Sequence, residues 1–203
     1  MNKIFAYCIA FFVLASVLVI GLWSTGMLQV GPTAKKGSSI ISGAPQIGGS
    51  FELINQKGDP VTDKDFQDKL MLVFFGYTFC PDVCPTEAQT ISLALEELGD
   101  AADNVVPVFV TVDPARDTVL VMDEFLSSFH PSFVGLTGSE TQIKDVMKKY
   151  RVYGQKVDDG DPDYYLVDHT SFTYLMGRDG DLITVFSYGT TPEEMATKIK
   201  EQL

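Results

Sequence analysis

Two kinds of segment alternate along most of the chain: continuous apolar runs, and stretches in which apolar residues recur at helical spacing. The continuous apolar run Leu70–Gly76 is typical of a central strand covered on both faces. Apolar residues then recur at helical spacing from Pro85 until Gly99, which predicts a helix. The same reasoning predicts further strands at 51–54, 105–112 and 133–137, a short capped helical turn at 62–66, and further helices at 118–129, 139–150 and from 191 onward.

A hairpin is predicted near the end of the chain. Segments 171–176 and 182–188 flank Gly177-Arg178-Asp179-Gly180, a turn of the Asp-Gly type. Strands that alternate with helices indicate an α/β fold. Two cysteines between a central strand and a helix, followed by a late hairpin and a terminal helix, predict the thioredoxin-like plan. The acidic segment 152–165 is expected to be an excursion, either a flap beside a site or an ordinary solvated loop.

The amino-terminal part of the chain has a different character. The twenty residues Ile4–Trp23 carry no charge, which is enough to cross a bilayer as a helix of about 30 Å. The segment after Trp23 lacks the small-residue exit of a signal peptide. We therefore expect residues 1–23 to be an uncleaved transmembrane anchor and residues 24–50, rich in Gly, Ser, Pro and Thr, to be a flexible linker. Residues 51–203 are then one folded domain.

The predicted domain is strongly acidic. Lys3, Lys35 and Lys36 precede it, so residues 51–203 hold the other 12 of the 15 basic residues and all 27 acidic ones, a formal net charge of −15. This charge argues against binding to nucleic acid or to anionic lipid. It is compatible with a cationic or metal-bearing partner and equally with simple solubility.

Candidate ligands for a soft metal are few in this sequence. The chain has three cysteines and two histidines, and Cys8 lies within the predicted anchor. Cys80 and Cys84 lie where the central strand gives way to a helix, and the helix dipole there is expected to lower the pKa of both thiols. His169 precedes the hairpin, where thioredoxin-like reductases usually carry a cis-proline, and it is expected to point at the thiols. Two thiolates and one imidazole suit copper, and also zinc.

Alternatives to a metal site remain at this stage. Cys80 and Cys84 would form a poor structural disulfide, because closing so short a loop removes little entropy from the unfolded chain. A structural zinc site normally has four protein ligands, and only three are found. Asp168 either orients the imidazole of His169 or caps a turn. His130 is expected in a surface turn, and the scattered methionines of the domain are expected in the core.

Three segments together resemble the Sco (SenC/PrrC-type) family of membrane-anchored copper metallochaperones. They are Gly76–Pro85, Val112–Pro114 with Arg116 and Asp117, and Val167–His169. The resemblance covers the whole chain and implies a thioredoxin-like fold with an N-terminal transmembrane helix. It implies that Cys80, Cys84 and His169 bind Cu(I) or Cu(II). One departure is Phe79, which stands where many members have a histidine.

The resemblance also implies a function. Family members help to metallate the binuclear copper centre of cytochrome c oxidase, and some instead reduce the cysteines of that centre. The implied partners are the copper-bearing subunit of the oxidase or another copper chaperone. The N-terminus lacks an Arg-rich transit peptide, so we expect a bacterial inner membrane with the domain in the periplasm; the alternative is the mitochondrial inner membrane, facing the intermembrane space.

Two enzymatic hypotheses compete with a function as a copper carrier. The first is a membrane-tethered thiol–disulfide oxidoreductase that uses Cys80 and Cys84 and has no need of His169. The second is a peroxidase, because residues 83–87 resemble the surroundings of a peroxidatic cysteine. Such enzymes need a threonine three residues before that cysteine, and Pro81 occupies this position without a hydroxyl group. Near the site, Asp113 is either a partner-binding or thiol-tuning residue or an ordinary turn residue, and Arg116 is expected to pair with Asp117.

Overall fold

The computed structural model describes residues 46–157 and 165–203. The predicted anchor, residues 1–23, and most of the predicted linker lie outside this part of the chain. Within it, every helix is too short or too polar to cross a membrane.

Nine strands and four α-helices make up the described residues. The strands are Glu52–Asn55 (β1), Pro60–Thr62 (β2), Leu70–Gly76 (β3), Val105–Thr111 (β4), Val134–Thr137 (β5), Gly154–Val157 (β6), Leu166–His169 (β7), Thr173–Met176 (β8) and Leu182–Phe186 (β9). The helices are Val83–Leu98 (α1), Val119–Leu126 (α2), Glu140–Tyr150 (α3) and Pro192–Lys200 (α4). Two 3-10 helices, Asp63–Phe66 and Gly99–Asn104, complete the order.

Seven of the strands form one mixed sheet in the order β2-β1-β5-β4-β3-β8-β9. The central strands β3, β4 and β5 are parallel, whereas β1 and β8 run antiparallel to their neighbours β5 and β3. All seven residues of β3 are buried, which confirms the prediction of a central strand covered on both faces. Strands β6 and β7 form a separate two-stranded ribbon.

Alternate residues of β3 enter two different cores. Leu70, Leu72 and Phe74 pack with apolar residues of α1, α2 and α4 on one face of the sheet. Met71, Val73 and Phe75 pack with apolar residues of α3 on the other face. This layering of helices on both faces of a mixed sheet whose central strands are parallel confirms the predicted α/β class. The loop that carries Cys80 begins at the carboxyl end of β3.

The predicted starts of two helices are confirmed by their capping residues. Ser139 and Gln142 form a reciprocal capping box at the start of α3, and Thr191 accepts a hydrogen bond from the backbone N–H of Glu194 at the start of α4. The hairpin β8–β9 is present over the predicted turn. Helix α2 is shorter than the predicted 118–129.

The acidic excursion contains a strand that the sequence analysis did not predict, so Gly154–Val157 is not an ordinary solvated loop. Gly154–Val157 pairs antiparallel with Leu166–His169, which places Gly154 opposite His169. All four residues of β6 are exposed, and such a strand has no alternation of apolar and polar residues that would reveal it in the sequence. The ribbon matters because β7 ends on His169.

Candidate metal centre

Cys80 and Cys84 are held by the loop and first helical turn that follow β3. Cys84 lies in the first turn of α1 and is completely buried, whereas Cys80 in the preceding loop is half-buried. The backbone N–H of Cys84 donates a hydrogen bond to Sγ of Cys80 over 3.4 Å. The helix start therefore turns both sulfurs toward the same point.

Gly76 makes room for the buried thiol. A Cβ atom at this position would lie 2.8 Å from a ring carbon of Phe74 and 2.9 Å from Sγ of Cys84. Real Cβ atoms do not approach neighbours so closely, so the end of β3 accepts the thiol only because residue 76 has no side chain.

His169 reaches the thiols from the ribbon. Its Nδ1 lies 2.9 Å from the backbone oxygen of Thr170, and its Nε2 lies 3.4 Å from Sγ of Cys84. A carbonyl oxygen only accepts hydrogen bonds, so the proton belongs on Nδ1 and the lone pair of Nε2 faces the sulfur. The Thr170 carbonyl thus orients the ring, and the exposed Asp168 does not take this role in the described structure.

These three side chains form a compact ligand set. Sγ of Cys80, Sγ of Cys84 and Nε2 of His169 all lie within 4.8 Å of one another. Ligand atoms about 2.0–2.3 Å from a common ion would be separated by about 3.3–4.5 Å, so small adjustments bring all three within bonding distance of one metal. Among the described residues this is the only such cluster of His, Cys, Asp and Glu side chains.

The pKa values of the two thiols are shifted in opposite directions. The hydrogen bond from the Cys84 thiol, with smaller contributions from the backbone N–H groups of Asp82 and Cys84, outweighs the effect of burial and lowers the pKa of Cys80 to about 3. Cys84 donates to Cys80 and is buried, and both factors raise the pKa of Cys84. The expectation that the helix start lowers the pKa of both thiols is therefore wrong for Cys84, because the hydrogen bond to Cys80 and then the loss of hydration outweigh the dipole there.

Aromatic rings enclose the imidazole. Phe74 and Tyr77 both lie edge-on to the His169 ring, with centroid separations of 6.1 and 5.8 Å. The Tyr77 hydroxyl accepts a hydrogen bond from the backbone N–H of Val167 over 3.3 Å, and burial raises the pKa of this hydroxyl. Tyr77 thus links the cysteine loop directly to the strand that carries His169.

Polar residues after β4 support the site in a way that the sequence did not predict. Arg116 pairs with Asp113 rather than with Asp117, at a distance of 2.5 Å. Asp117 is fully buried and accepts hydrogen bonds from the backbone N–H and hydroxyl of Thr78 and from the hydroxyl of Thr111. Burial raises the pKa of Asp117. Asp117 therefore holds the loop that precedes Cys80 against the end of β4 through Thr78 and Thr111.

Asp113 is buried and connects Arg116 to Tyr165 through hydrogen bonds, so it is not an ordinary turn residue. It is 2 % exposed, and its carboxylate accepts hydrogen bonds from Arg116 and from the hydroxyl of Tyr165. No sequence signal indicated this contact, because Tyr165 lies 52 positions away.

The remaining predicted ligand types lie apart from the centre. Nδ1 of His130 lies 2.7 Å from the hydroxyl of Ser132, in the turn after α2. The methionines of the domain pack in the two cores, as expected: Met71, Met122, Met147, Met176 and Met195.

The fold and the site together define a class: a thioredoxin-like domain with two thiols and one imidazole arranged for a soft metal ion. The family model described as SCO1/SenC matches residues 41–203. This chain belongs to the SCO1/SenC family.

Relatives and solved structures agree with this assignment. Protein sco1 of Schizosaccharomyces pombe is 48% identical over 160 residues, which are 77% of this chain and 61% of the yeast protein. Protein SenC of Rhodobacter capsulatus is 39% identical over 190 residues, 91% of this chain and 85% of that protein. The copper-bound structure of ScoI from Bradyrhizobium japonicum is 48% identical with a TM-score of 0.73, covering 77% of this chain and 99% of that one. Copper-bound yeast Sco1 is 38% identical with a TM-score of 0.72, covering 77% and 88%.

Proposed function

We propose that this protein is a copper carrier for cytochrome c oxidase. It binds one copper ion through Sγ of Cys80, Sγ of Cys84 and Nε2 of His169. It delivers that ion to the binuclear copper centre of the oxidase, or prepares the thiols of that centre to receive it. The observation that carries the proposal is the convergence of these three ligand atoms within 4.8 Å. Two solved relatives that share this fold, ScoI of Bradyrhizobium japonicum and yeast Sco1, have structures with copper bound.

The ligand set suits both oxidation states of copper. Thiolates favour Cu(I), and an imidazole lets the same site accept Cu(II). Three protein ligands leave a coordination position free, and the partial exposure of Cys80 and His169 gives a partner access to the site. Such a site can bind copper firmly and still release it to an incoming ligand.

The proposed setting is a membrane surface. Residues 1–23 anchor the chain, residues 24–50 tether the domain, and residues 51–203 bind copper in the bacterial periplasm. The uncharged run Ile4–Trp23 supports the anchor, and the alignment with bacterial SenC over 91% of the chain supports a bacterial setting. Mitochondrial relatives from yeast and Arabidopsis support the alternative, an inner mitochondrial membrane facing the intermembrane space. The partner is the copper-bearing oxidase subunit or another copper chaperone.

A thiol–disulfide oxidoreductase is the second candidate function. Cys80 has a lowered pKa, is half-buried and lies beside a second thiol, which is what a nucleophilic cysteine of this kind requires. A peroxidase receives no such support, because Cys84 is fully buried.

Copper titration separates the two functions. The full-length chain would be purified in detergent as wild type, Cys80→Ser, His169→Ala and His130→Ala, and Cu(I) and Cu(II) affinities would be measured by competition with chromophoric chelators. We expect Cys80→Ser and His169→Ala each to weaken binding by at least about tenfold, and His130→Ala to have no effect. Wild-type copper affinity in His169→Ala, together with rapid exchange with a disulfide substrate, would favour the oxidoreductase instead.

A further inference from the structure

Arg116 lies between the two segments that carry the metal ligands. It follows β4 and belongs to neither segment. Its guanidinium carbon lies 4.7 Å from the ring centroid of Phe79, the residue before Cys80, and 3.6 Å from that of Tyr165, four residues before His169. A single cation therefore contacts both the cysteine loop and the approach to the histidine strand.

Directional bonds fix the guanidinium in this position. Its Nε donates to the Asp113 carboxylate, and its Nη1 donates to the backbone oxygen of Tyr165 over 2.9 Å. The same Asp113 carboxylate accepts a hydrogen bond from the Tyr165 hydroxyl over 2.8 Å. Arg116, Asp113 and Tyr165 thus form a closed ring of contacts at the base of the ribbon.

The remaining guanidinium nitrogen indicates how the charge is compensated. Nη2 is buried and has no hydrogen-bond partner among the described residues. A buried guanidinium nitrogen without an acceptor is costly, unless aromatic faces supply the compensation. The rings of Phe79 and Tyr165 therefore contribute to the energy of this contact as well as to its shape.

The ribbon is not paired with the main sheet: among the described strands, β6 and β7 pair only with each other. Near the site it is attached through the buried Val167 side chain, which packs in the core with Phe74 and Tyr77. The bond from the backbone N–H of Val167 to the Tyr77 hydroxyl is a second link. Without such links, the imidazole would have to be brought to the thiols at an entropic cost each time copper binds.

We propose that Arg116 is a positioning residue that clamps the strand of His169 to the loop of Cys80 and so preorganises the copper site. This inference rests on the proposed function, because it assumes that His169 binds copper. Arg116 does not itself touch the metal. It acts through the position of the imidazole, with Phe79 as the partner on the cysteine side.

The test is a double-mutant cycle for Cu(II) binding in the full-length chain. Arg116→Gln is expected to weaken binding by about tenfold or more when His169 is present. In the His169→Ala background the same change is expected to alter the affinity less than about twofold, because the residue through which Arg116 acts is gone. Arg178→Gln is the matched control: it removes an arginine bonded to the backbone oxygens of Asp68 and Gln202, and copper affinity should not change.

A metal-free measurement tests the clamp directly. Hydrogen exchange at the Val167 amide is expected to accelerate by about tenfold or more in Arg116→Gln and to stay at the wild-type rate in Arg178→Gln. Arg116→Lys retains the charge but loses the planar group and its two fixed bonds, so it should resemble Arg116→Gln. Phe79→Leu, at a half-exposed position that tolerates change, should weaken Cu(II) binding by about two- to fivefold and provides a test if the arginine variants fail to fold.

The outcomes are distinguishable. Equal losses in both backgrounds, wild-type behaviour of Arg116→Lys, or unchanged binding in Arg116→Gln and Phe79→Leu would each overturn the clamp. If Arg116→Gln binds normally while His169→Ala is weakened, the proposed function stands and only the role of Arg116 fails. If His169→Ala binds copper as well as wild type, the ligand set itself is wrong.

Discussion

Sγ of Cys84 lies 3.4 Å from Nε2 of His169, although 85 positions separate the two residues in the chain. The thiol is placed by the first turn of a helix that packs on the sheet, and the imidazole by a ribbon outside the sheet. The folds of these two segments bring the ligand atoms together, so the behaviour of the site should follow from the surroundings of each ligand.

The two thiols should react very differently with an alkylating reagent. Cys80 is half-buried with a lowered pKa, whereas Cys84 is completely buried with a raised pKa. We expect iodoacetamide to modify Cys80 at a nearly constant rate from about pH 5 to about pH 8, with Cys84 protected under native conditions. Mass spectrometry of peptides from timed reactions measures both rates, with Cys8→Ser as the background that removes the third thiol. A rate at Cys80 that rises about tenfold per pH unit across this range would show an ordinary thiol instead.

A side chain at Gly76 should disturb both stability and metal binding. Gly76→Ala places a methyl group against Cys84 and Phe74, so we expect a loss of about 1–3 kcal/mol in the free energy of unfolding and weaker copper binding. Chemical denaturation and chelator competition measure the two effects.

Gly58→Ala is the matched control for this variant. Gly58 has a φ of +88°, so alanine there costs about 1–2 kcal/mol in backbone strain, but no atom lies within 4 Å of the new methyl group. We expect lower stability with unchanged copper affinity. If Gly76→Ala also left the affinity unchanged, the close fit between Gly76 and the Cys84 thiol would not matter for the site.

Glu87 should make the protein less stable as the pH rises. It is 2 % exposed and accepts a hydrogen bond from the Thr173 hydroxyl, and burial raises its pKa above the ordinary value of 4.5. The folded protein therefore binds this proton more tightly than the unfolded chain does, and this contribution to stability is lost as the pH rises from 4.5 through the raised pKa. Glu87→Gln retains an acceptor for Thr173 and removes the charge.

We accordingly expect Glu87→Gln to unfold at a higher urea concentration than wild type at pH 7, with the difference disappearing near pH 4. Glu96→Gln, on the exposed face of the same helix, should show no such difference. A Glu87→Gln variant that is less stable than wild type at pH 7 would mean that the ionised carboxylate is favourable in its buried position.

The elements that could be predicted from the sequence are those encoded by neighbouring residues. The apolar run Leu70–Gly76 predicts β3 because a strand buried on both faces needs no polar positions. Ser139 and Thr191 mark helix starts because their side chains bond the backbone two or three residues on. The cysteine pair and His169 could be chosen as site residues because ligands of this kind are scarce in the chain.

The unpredicted features depend on contacts between distant segments. All four residues of β6 are exposed, so no burial pattern marks this strand in the sequence. It is defined by its pairing with β7. Arg116 was expected to pair with its neighbour Asp117, but Thr78 and Thr111 already satisfy that carboxylate, so the guanidinium turns to Asp113. Burial of Cys84 likewise depends on the completed fold, which is why the direction of its pKa shift could not be read from its place at a helix start.

X-ray absorption at the copper edge of the Cu(I)-loaded, full-length protein is the most direct test of the central claim. The account predicts one copper ion bound by two sulfur atoms and one imidazole nitrogen, with the nitrogen contribution lost in His169→Ala and retained in His130→Ala. A first shell without nitrogen, or one that His169→Ala leaves unchanged, would contradict it.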